Sequence, residues 1–228
     1  MILNFSVKAN TNEDKILLFK NGDFTQFENN VIPLFGPNGI GKSILINGII
    51  NQTLEIKSSK PGLCYSYQNS KDNFKNRQAR TISESFNPFF LNMKLNSQYI
   101  SEGQSIIYSM FDLLDAFKKN GEFEYHEDKD SIVLLDEIDS GMSIDNIDTT
   151  MRKIKYITRI RDDLQIIMSF NSPRVLKWFP EVFSMYDGNK LILHTDEDML
   201  KEIRKHKKEF DKLRKNSHGR PKIIYQGE

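Results

Sequence analysis

The chain has 228 residues, of which 38% are hydrophobic and 28% charged, and its formal net charge is +1. These totals fit one globular domain with a sizeable core, and they exclude a uniformly basic or acidic protein. The single cysteine, Cys64, excludes a disulfide within the chain, and no apolar run approaches the roughly 20 residues of a membrane span. The N-terminus has no signal-peptide pattern, so we expect a cytoplasmic protein with no transmembrane segment of its own.

The first part of the chain predicts strands around a glycine-rich loop. Apolar and β-branched segments predict strands at 2–8, 15–20, 31–35 and 63–67. The turn signal at 21–24 predicts a hairpin with a returning strand at 24–27. The segment that starts at Lys42 is apolar nearly all round, which predicts a buried helix.

The rest of the chain alternates strands with helices, which predicts an α/β fold. Residues 69–119 predict a small, partly helical subdomain that ends in a helix at 103–119. The segments that follow are a charged loop at 120–130, strands at 132–135 and 164–169, a helix at 144–160, closing strands at 182–185 and 191–194, and a helix at 196–216. We therefore expect one domain at 1–195, followed at 196–228 by a charged helix and a basic tail.

One loop carries a phosphate-binding pattern. The residues that match G-x-x-x-x-G-K-[ST] lie in the segment Gly36-Pro37-Asn38-Gly39-Ile40-Gly41-Lys42-Ser43. Glycines let backbone N–H groups approach phosphates, Lys42 supplies a cation for the β- and γ-phosphates, and Ser43 offers a hydroxyl to Mg²⁺. A glycine-rich turn without a ligand is the alternative. The strand before the loop and the helix after it favour ATP and Mg²⁺.

A second pattern is the apolar strand that ends in Asp136-Glu137. Acidic residues at the end of a parallel strand lie beside the phosphate loop in such sheets. Asp136 is the candidate Mg²⁺ ligand, and Glu137 is the candidate base for the attacking water. An acidic turn after an apolar strand is the simpler alternative, which the upstream phosphate loop disfavours.

The segment Ile100-Ser101-Glu102-Gly103-Gln104 is a helix capping box by its spacing. It also lies between the phosphate loop and the acidic strand, where it resembles the LSGGQ signature of ABC-type ATPases, with Glu102 replacing a glycine. The resemblance implies a P-loop NTPase of ABC type: a mixed sheet with flanking helices, antiparallel N-terminal strands and a small helical signature subdomain. It also implies a head-to-tail homodimer in which Ser101, Gly103 and Gln104 contact the ATP of the other subunit.

Three further segments resemble motifs of the same family. Gln68 matches the Q-loop glutamine, which implies contact with Mg²⁺ and the attacking water. Residues 139–143 resemble the D-loop that crosses the dimer interface, with Ser143 at a position that is usually Asp. Asn171 occupies the place of the switch histidine, and an amide cannot exchange a proton near neutral pH, so we expect slow hydrolysis.

The absence of a long coiled coil and of a nuclease-sized extension makes the chain resemble a stand-alone head of the soluble SMC, RecF and OLD-like branch. This branch implies an ATP-driven clamp or switch in DNA repair, DNA replication or a bacterial or phage conflict system, with a separate effector protein. Two alternatives remain: the nucleotide-binding subunit of an ABC transporter, and a regulatory switch with negligible turnover.

Several weaker signals leave their interpretation open. Basic patches at 69–98, with Lys75, Arg77 and Arg80, and after Met199 are either solvated surface or contacts for nucleic acid. Either the protein's own core or a partner covers the apolar stripe of the last helix, which consists of Met199, Ile203, Phe210 and Leu213. Phe19, Phe24 and Phe27 are either core residues or stacking partners for adenine. Trp178 and Cys64 are interpreted as packing residues.

Overall fold

The computed structural model describes residues 1–6, 22–27, 30–50, 54–58, 62–68, 78–81, 89–90, 110–118 and 130–216. The strands are β1 (Ile2–Ser6), β2 (Gly22–Asp23), β3 (Val31–Phe35), β4 (Glu55–Ser58), β5 (Gly62–Gln68), β6 (Gln78–Thr81), β7 (Phe89–Phe90), β8 (Asp130–Asp136), β9 (Leu164–Ser169), β10 (Glu181–Ser184) and β11 (Lys190–Ile192). The helices are α1 (Lys42–Ile50), α2 (described over residues 110–115), α3 (Ile144–Ile160) and α4 (Asp196–Asn216), with a 3-10 helix at Pro173–Lys177. Within these ranges, none of the helices combines the length and the apolar character that crossing a membrane requires.

The main sheet has eight strands in the order β11-β10-β3-β9-β8-β5-β6-β7. The central strands from β10 to β5 are parallel to one another, whereas β11, β6 and β7 are added antiparallel. The predicted mixed sheet is therefore confirmed. Its parallel centre brings the carboxyl ends of β3, β9, β8 and β5 to one edge, where ligands of open α/β sheets bind.

A second, antiparallel sheet has the order β2-β1-β4, which confirms the predicted antiparallel N-terminal strands. The side chain of Gln165, in β9, joins the two sheets because it accepts the N–H of Ile2 at 2.9 Å and donates to the carbonyl of Ile2 at 3.1 Å. The predicted returning strand at 24–27 is wrong. Asp23 instead accepts the N–H of Thr25 at 2.8 Å and its hydroxyl at 2.5 Å, which forms a side-chain-stabilised turn.

The core lies on both faces of the main sheet because the parallel strands are buried on both sides. One face packs against α2, α3 and α4, and it includes Val133 and Leu135 of β8. The other face packs against α1 and β1, and it includes Ile132 and Leu134 of the same strand. This period-2 alternation fixes the position of β8, and with it the position of Asp136 at the strand's end.

The region between β5 and β8 contains strands as well as a helix where it is described. Residues 78–81 and 89–90 are strands that extend the main sheet, and the sequence analysis did not assign them. Helix α2 ends at residue 115, before the predicted end at 119, because the N–H groups of Phe117 and Lys118 bond three residues back, as in a 3-10 turn. The remainder of the predicted subdomain lies outside the described residues.

Helix α4 packs against the main sheet through its inner face, where Met199 and Ile203 contact the core on the side of α2 and α3. His206 stacks on Tyr186 at 4.4 Å between ring centroids. The protein's own core therefore covers this half of the predicted apolar stripe. The side chains of Phe210 and Leu213 lie outside the described set.

Candidate nucleotide-binding site

The phosphate loop joins the end of β3 to the start of α1, as the sequence predicts. Gly36 has φ 153°, and a Cβ there would lie 2.8 Å from Cγ2 of Ile40, which is closer than real Cβ contacts allow. Gly39 has φ 81°, a left-handed conformation that glycine adopts without strain, and it is exposed. The loop therefore has the tight turn and open backbone that close approach of a phosphate requires.

Lys42 is nearly buried, with 7% of its surface exposed, inside this loop. Its Nζ donates to the carbonyl of Gly36 at 2.6 Å and to Oδ1 of Asn171 at 3.2 Å. Burial lowers the pKa of Lys42, and the negative charges of Asp139, Asp136 and Glu137 oppose that shift. The two oxygen acceptors and the three nearby acids fix the position of the Lys42 amine, where it can bind an anionic ligand.

Asp136 lies at the end of β8, and only 7% of it is exposed. Its Oδ1 accepts a hydrogen bond from the hydroxyl of Ser43 at 3.1 Å, so the phosphate loop and the acidic strand meet as predicted. A hydroxyl and a carboxylate are hard oxygen ligands of the kind that Mg²⁺ takes alongside waters and phosphate oxygens. The donor set therefore fits Mg²⁺, and Ser43 and Asp136 are its candidate protein ligands.

Glu137 follows with an unusual backbone conformation, φ 49°, and its side chain is exposed. Left-handed backbone costs a non-glycine residue about 1–2 kcal/mol. The N–H of Glu137 donates to Oγ of Ser169 at 2.7 Å, which helps to hold that conformation. The turn takes the Glu137 side chain out of the buried strand, to a position open to water.

Ser169 is a site residue that the sequence analysis missed. It is fully buried at the end of β9, and its Oγ donates to Oδ1 of Asp136 at 2.5 Å while accepting the N–H of Glu137. One hydroxyl thus fixes both acidic residues. Its signal in the sequence was a lone hydroxyl at the end of the otherwise apolar segment 166–170.

The structure describes the backbone alone at the predicted Q-loop residue and does not describe the predicted signature residues. Gln68 is the register partner of Asp136, on the strand directly beside β8, so the backbone brings the predicted Q-loop residue to the acidic pair. The side chain of Gln68 is not among those described. Ser101, Gly103 and Gln104 lie outside the described residues, so their role stays a prediction.

The phenylalanines proposed for adenine stacking occupy different positions. Phe24 is 2% exposed and packs against the rings of Phe5 and Phe183, each at a centroid distance of 5.1 Å, which is a core role. Phe27 is 7% exposed and belongs to the same core cluster. Phe19 lies outside the described residues.

The segment from Ile32, in β3, to Leu176, in the 3-10 helix, matches a known protein family. A family model described as "ATPase family associated with various cellular activities (AAA)" matches residues 32–176. The chain belongs to this AAA ATPase family. The match spans the phosphate loop, the acidic strand and Asn171, so it covers the site described above. The α/β fold is accordingly that of a P-loop NTPase.

Solved structures of other proteins superpose in part on this chain. CbiO1 from Clostridium perfringens, part of the ABC transporter complex CbiONQ, superposes with TM-score 0.48 and 15% identity over 95% of this chain and 98% of its own. Stu0660 of Streptococcus thermophilus gives 0.47 and 12% over 89% and 80%. PCH-2 of C. elegans gives 0.36 and 15% over 81% and 41%. Among curated proteins, none matches this sequence.

Proposed function

We propose that this AAA ATPase family member hydrolyses ATP slowly, and that two copies close head-to-tail around two ATP molecules as a clamp or switch. The observation that carries the proposal is a pair of hydrogen bonds that joins three segments of the chain: Lys42 contacts Asn171, and the adjacent Ser43 contacts Asp136. Each member has the chemistry that phosphoryl transfer needs, because catalysis there is positioning and charge stabilisation.

The described residues divide the work of hydrolysis among them. Lys42 pairs with the β- and γ-phosphates, and Ser43 and Asp136 hold Mg²⁺, which supplies neutralisation of phosphate charge when bound. Glu137 orients the attacking water and accepts its proton. Asn171 presents Oδ1 to Lys42, which leaves its NH₂ group to donate to the γ-phosphate.

The head-to-tail dimer is supported by the surface that follows the acidic pair. Residues 139–143 form the turn into α3, Gly141 and Ser143 are exposed, and the next residue, Ile144, is 62% exposed. An exposed isoleucine beside an exposed loop suits burial against another subunit. In the dimer, Ser101, Gly103 and Gln104 of each subunit contact the ATP of the other.

Size-exclusion chromatography of Glu137→Gln with ATP and Mg²⁺ tests the dimer. The substitution keeps the shape of the side chain and removes the base, so ATP is retained and the dimer accumulates. Ser101→Arg in the same background is the matched control, because bulk and charge at the signature should block closure and leave nucleotide binding by the monomer nearly unchanged. A Glu137→Gln protein that stays monomeric with bound ATP contradicts the head-to-tail model.

The role that we propose for this clamp is a cytoplasmic one in DNA repair, DNA replication or a conflict system, with a separate effector and a place in the soluble SMC, RecF and OLD-like branch. A specific observation favours a nucleic-acid partner. The outer face of α4 exposes several basic side chains, of which only Lys205 has an ion pair among the described contacts, to Glu202 at 2.8 Å. The exposed cations are Lys201, Arg204, Lys205, Lys207 and Lys208.

A second candidate function is a regulatory switch with negligible turnover. It is favoured by Asn171, whose side chain contacts Lys42 but carries no titratable proton near neutral pH. The two candidates differ in the rate of phosphate release and not in ATP binding, so the Asn171 series described in the Discussion separates them.

A further inference from the structure

Asp139 is a buried carboxylate that the proposed mechanism does not use. It lies in the turn between β8 and α3, and only 7% of its surface is exposed. Taking a charge out of water is costly unless the surroundings compensate for it. The contacts of this side chain therefore indicate why an acid occupies the position.

One oxygen of Asp139 holds the chain at Asn171. Oδ2 accepts the backbone N–H of Asn171 at 2.8 Å and also that of Ser172. Ser172 in turn caps the 3-10 helix, because its Oγ accepts the N–H of Arg174 at 3.3 Å. Two charge-assisted bonds on consecutive backbone groups fix the path of the chain where the Asn171 side chain begins.

That path sets the position of the Asn171 side chain over the phosphate loop. Oδ1 of Asn171 accepts from Nζ of Lys42 at 3.2 Å. Asp139 thus reaches the phosphate-binding lysine through one intervening residue, over a sequence separation of 129 residues between Lys42 and Asn171.

The second oxygen of Asp139 indicates that this side chain does more than accept two backbone N–H groups. Within the described part of the chain, the buried Oδ1 has no hydrogen-bond partner. A neutral acceptor such as asparagine could receive both N–H groups without burying a charge. The carboxylate therefore supplies a charge to the site as well as an anchor.

We propose that Asp139 is a positioning residue of the nucleotide site: it anchors Asn171 against the phosphate loop, and its negative charge moderates the attraction of that loop for ATP. The inference rests on the proposed ATPase function and adds to it a residue that does not touch the nucleotide. Its two parts, anchor and charge, make separate predictions because one substitution removes the charge alone.

Asp139→Asn keeps an oxygen for the two N–H groups and removes the charge. We expect it to bind ATP several-fold more tightly, with kcat within about threefold of the wild type. Asp139→Ala also removes the anchor, and kcat should then fall about 10- to 100-fold, the loss expected for a hydrogen bond to a charged group. A purely structural role would weaken binding and turnover together and would not give this split between affinity and kcat.

A double-mutant cycle identifies the residue through which Asp139 acts. In the Asn171→Ala background, Asp139→Ala should cause little further loss of kcat, because the side chain that it positions is already gone. The matched control is Asp148→Asn, which loosens the same segment at Arg174 and Trp178 but makes no contact to Asn171. We expect this control to leave kcat near that of the wild type.

The outcomes separate the two proposals. Wild-type kcat in Asp139→Ala, or fully additive losses in the cycle, overturns the anchoring role while the ATPase stands. If Asp139→Ala does not fold, the ATP affinity of Asp139→Asn decides, and an unchanged affinity overturns the charge role. A wild type that neither binds nor hydrolyses ATP overturns this inference together with the proposed function.

Discussion

The hydroxyl of Ser169 donates a 2.5 Å hydrogen bond to Oδ1 of Asp136, the same oxygen that accepts from Ser43. Ser169 also accepts the N–H of Glu137 at 2.7 Å. The end of β9 therefore supports both acidic residues at the end of β8. Ser169, to which the sequence analysis assigned no role, therefore helps to position Asp136 and Glu137.

Ser169→Ala should reduce phosphate release about tenfold and raise the Mg²⁺ concentration for half-maximal activity. The substitution leaves the part-buried N–H of Glu137 without its partner and frees Asp136 to move, at a cost of about 1–3 kcal/mol. The measurement is steady-state phosphate release against Mg²⁺ at saturating ATP. Ser184→Ala is the matched control, because Ser184 is equally buried at the end of β10, and its hydroxyl accepts the N–H of Tyr186 and bonds to the carboxylate of Asp187 instead of the acidic pair. Equal effects of the two substitutions would argue for lost stability alone.

The Asn171 series tests the switch position. An amide donates one hydrogen bond but cannot exchange a proton near neutral pH, whereas positioned proton transfer contributes about 10²–10⁴-fold to a rate. We expect slow wild-type turnover, faster turnover in Asn171→His and slower turnover in Asn171→Ala, with ATP binding retained in all three. Phosphate release at saturating ATP measures this. The same rate in wild type and Asn171→Ala would show that the amide takes no part in hydrolysis.

The pH dependence of the unfolding free energy tests the contacts of Asp148, which join α3 to the 3-10 helix. Asp148 accepts from Nε of Arg174 and from Nε1 of Trp178, each at 2.8 Å. These hydrogen bonds, the one from Arg174 foremost, hold the pKa of Asp148 well below its ordinary value of 3.8. Because its pKa is lowered, the ionised carboxylate of Asp148 stabilises the fold fully above pH 3.8. This contribution disappears as the pH falls through the lowered pKa.

Asp148→Asn should therefore lower Tm at neutral pH, and the difference from wild type should vanish in strong acid. Thermal unfolding followed by circular dichroism across this range measures it. Asp162→Asn is the control, because it removes the same charge from an exposed position. A Tm difference that is the same at every pH would show that the ionised form of Asp148 is not what stabilises the segment.

Local sequence signals predicted much of this fold. Helix α3 begins where predicted because Ser143 caps it, accepting the N–H of Asn146 at 3.4 Å. Strand β9 also has its predicted bounds, since an apolar run between polar flanks leaves little choice of register. The phosphate loop and the acidic pair were predictable because each is a short continuous pattern whose residue types are those that bind phosphate and Mg²⁺.

The parts that could not be predicted depend on contacts across the sheet. Ser169 and Asp139 act through partners about 30 residues away in sequence, at separations of 33 and 32. No local pattern shows which strands become neighbours. Residues 24–27 were predicted as a strand because the turn signal at 21–24 suggested a hairpin. Instead, Asp23 accepts the backbone N–H of Thr25, and the strand pairing ends there.

A nucleic-acid partner should make binding ATP-dependent and salt-dependent. Each phosphate contact that is neutralised contributes about −0.9 to the slope of log affinity against log salt for duplex DNA. Charge reversal at Lys201, Arg204 and Lys208 on α4 should flatten that slope, as should reversal at Lys75, Arg77 and Arg80. The measurement is fluorescence anisotropy of labelled DNA with Glu137→Gln and ATP. No binding by this dimer, or binding that ignores ATP, would favour the transporter or switch alternatives.

ATP hydrolysis at the site of Lys42, Asp136 and Glu137 is most directly tested by Mg²⁺-dependent phosphate release, measured with ATP affinity in the same preparations. The wild type should release phosphate. Glu137→Gln should bind ATP and release phosphate about 10²–10⁴-fold more slowly, because its base is gone. Lys42→Ala should bind ATP about 10- to 100-fold more weakly, because a charge-assisted contact is lost. Equal affinities and equal rates in all three proteins would show that this loop and this acidic pair are not the ATPase site.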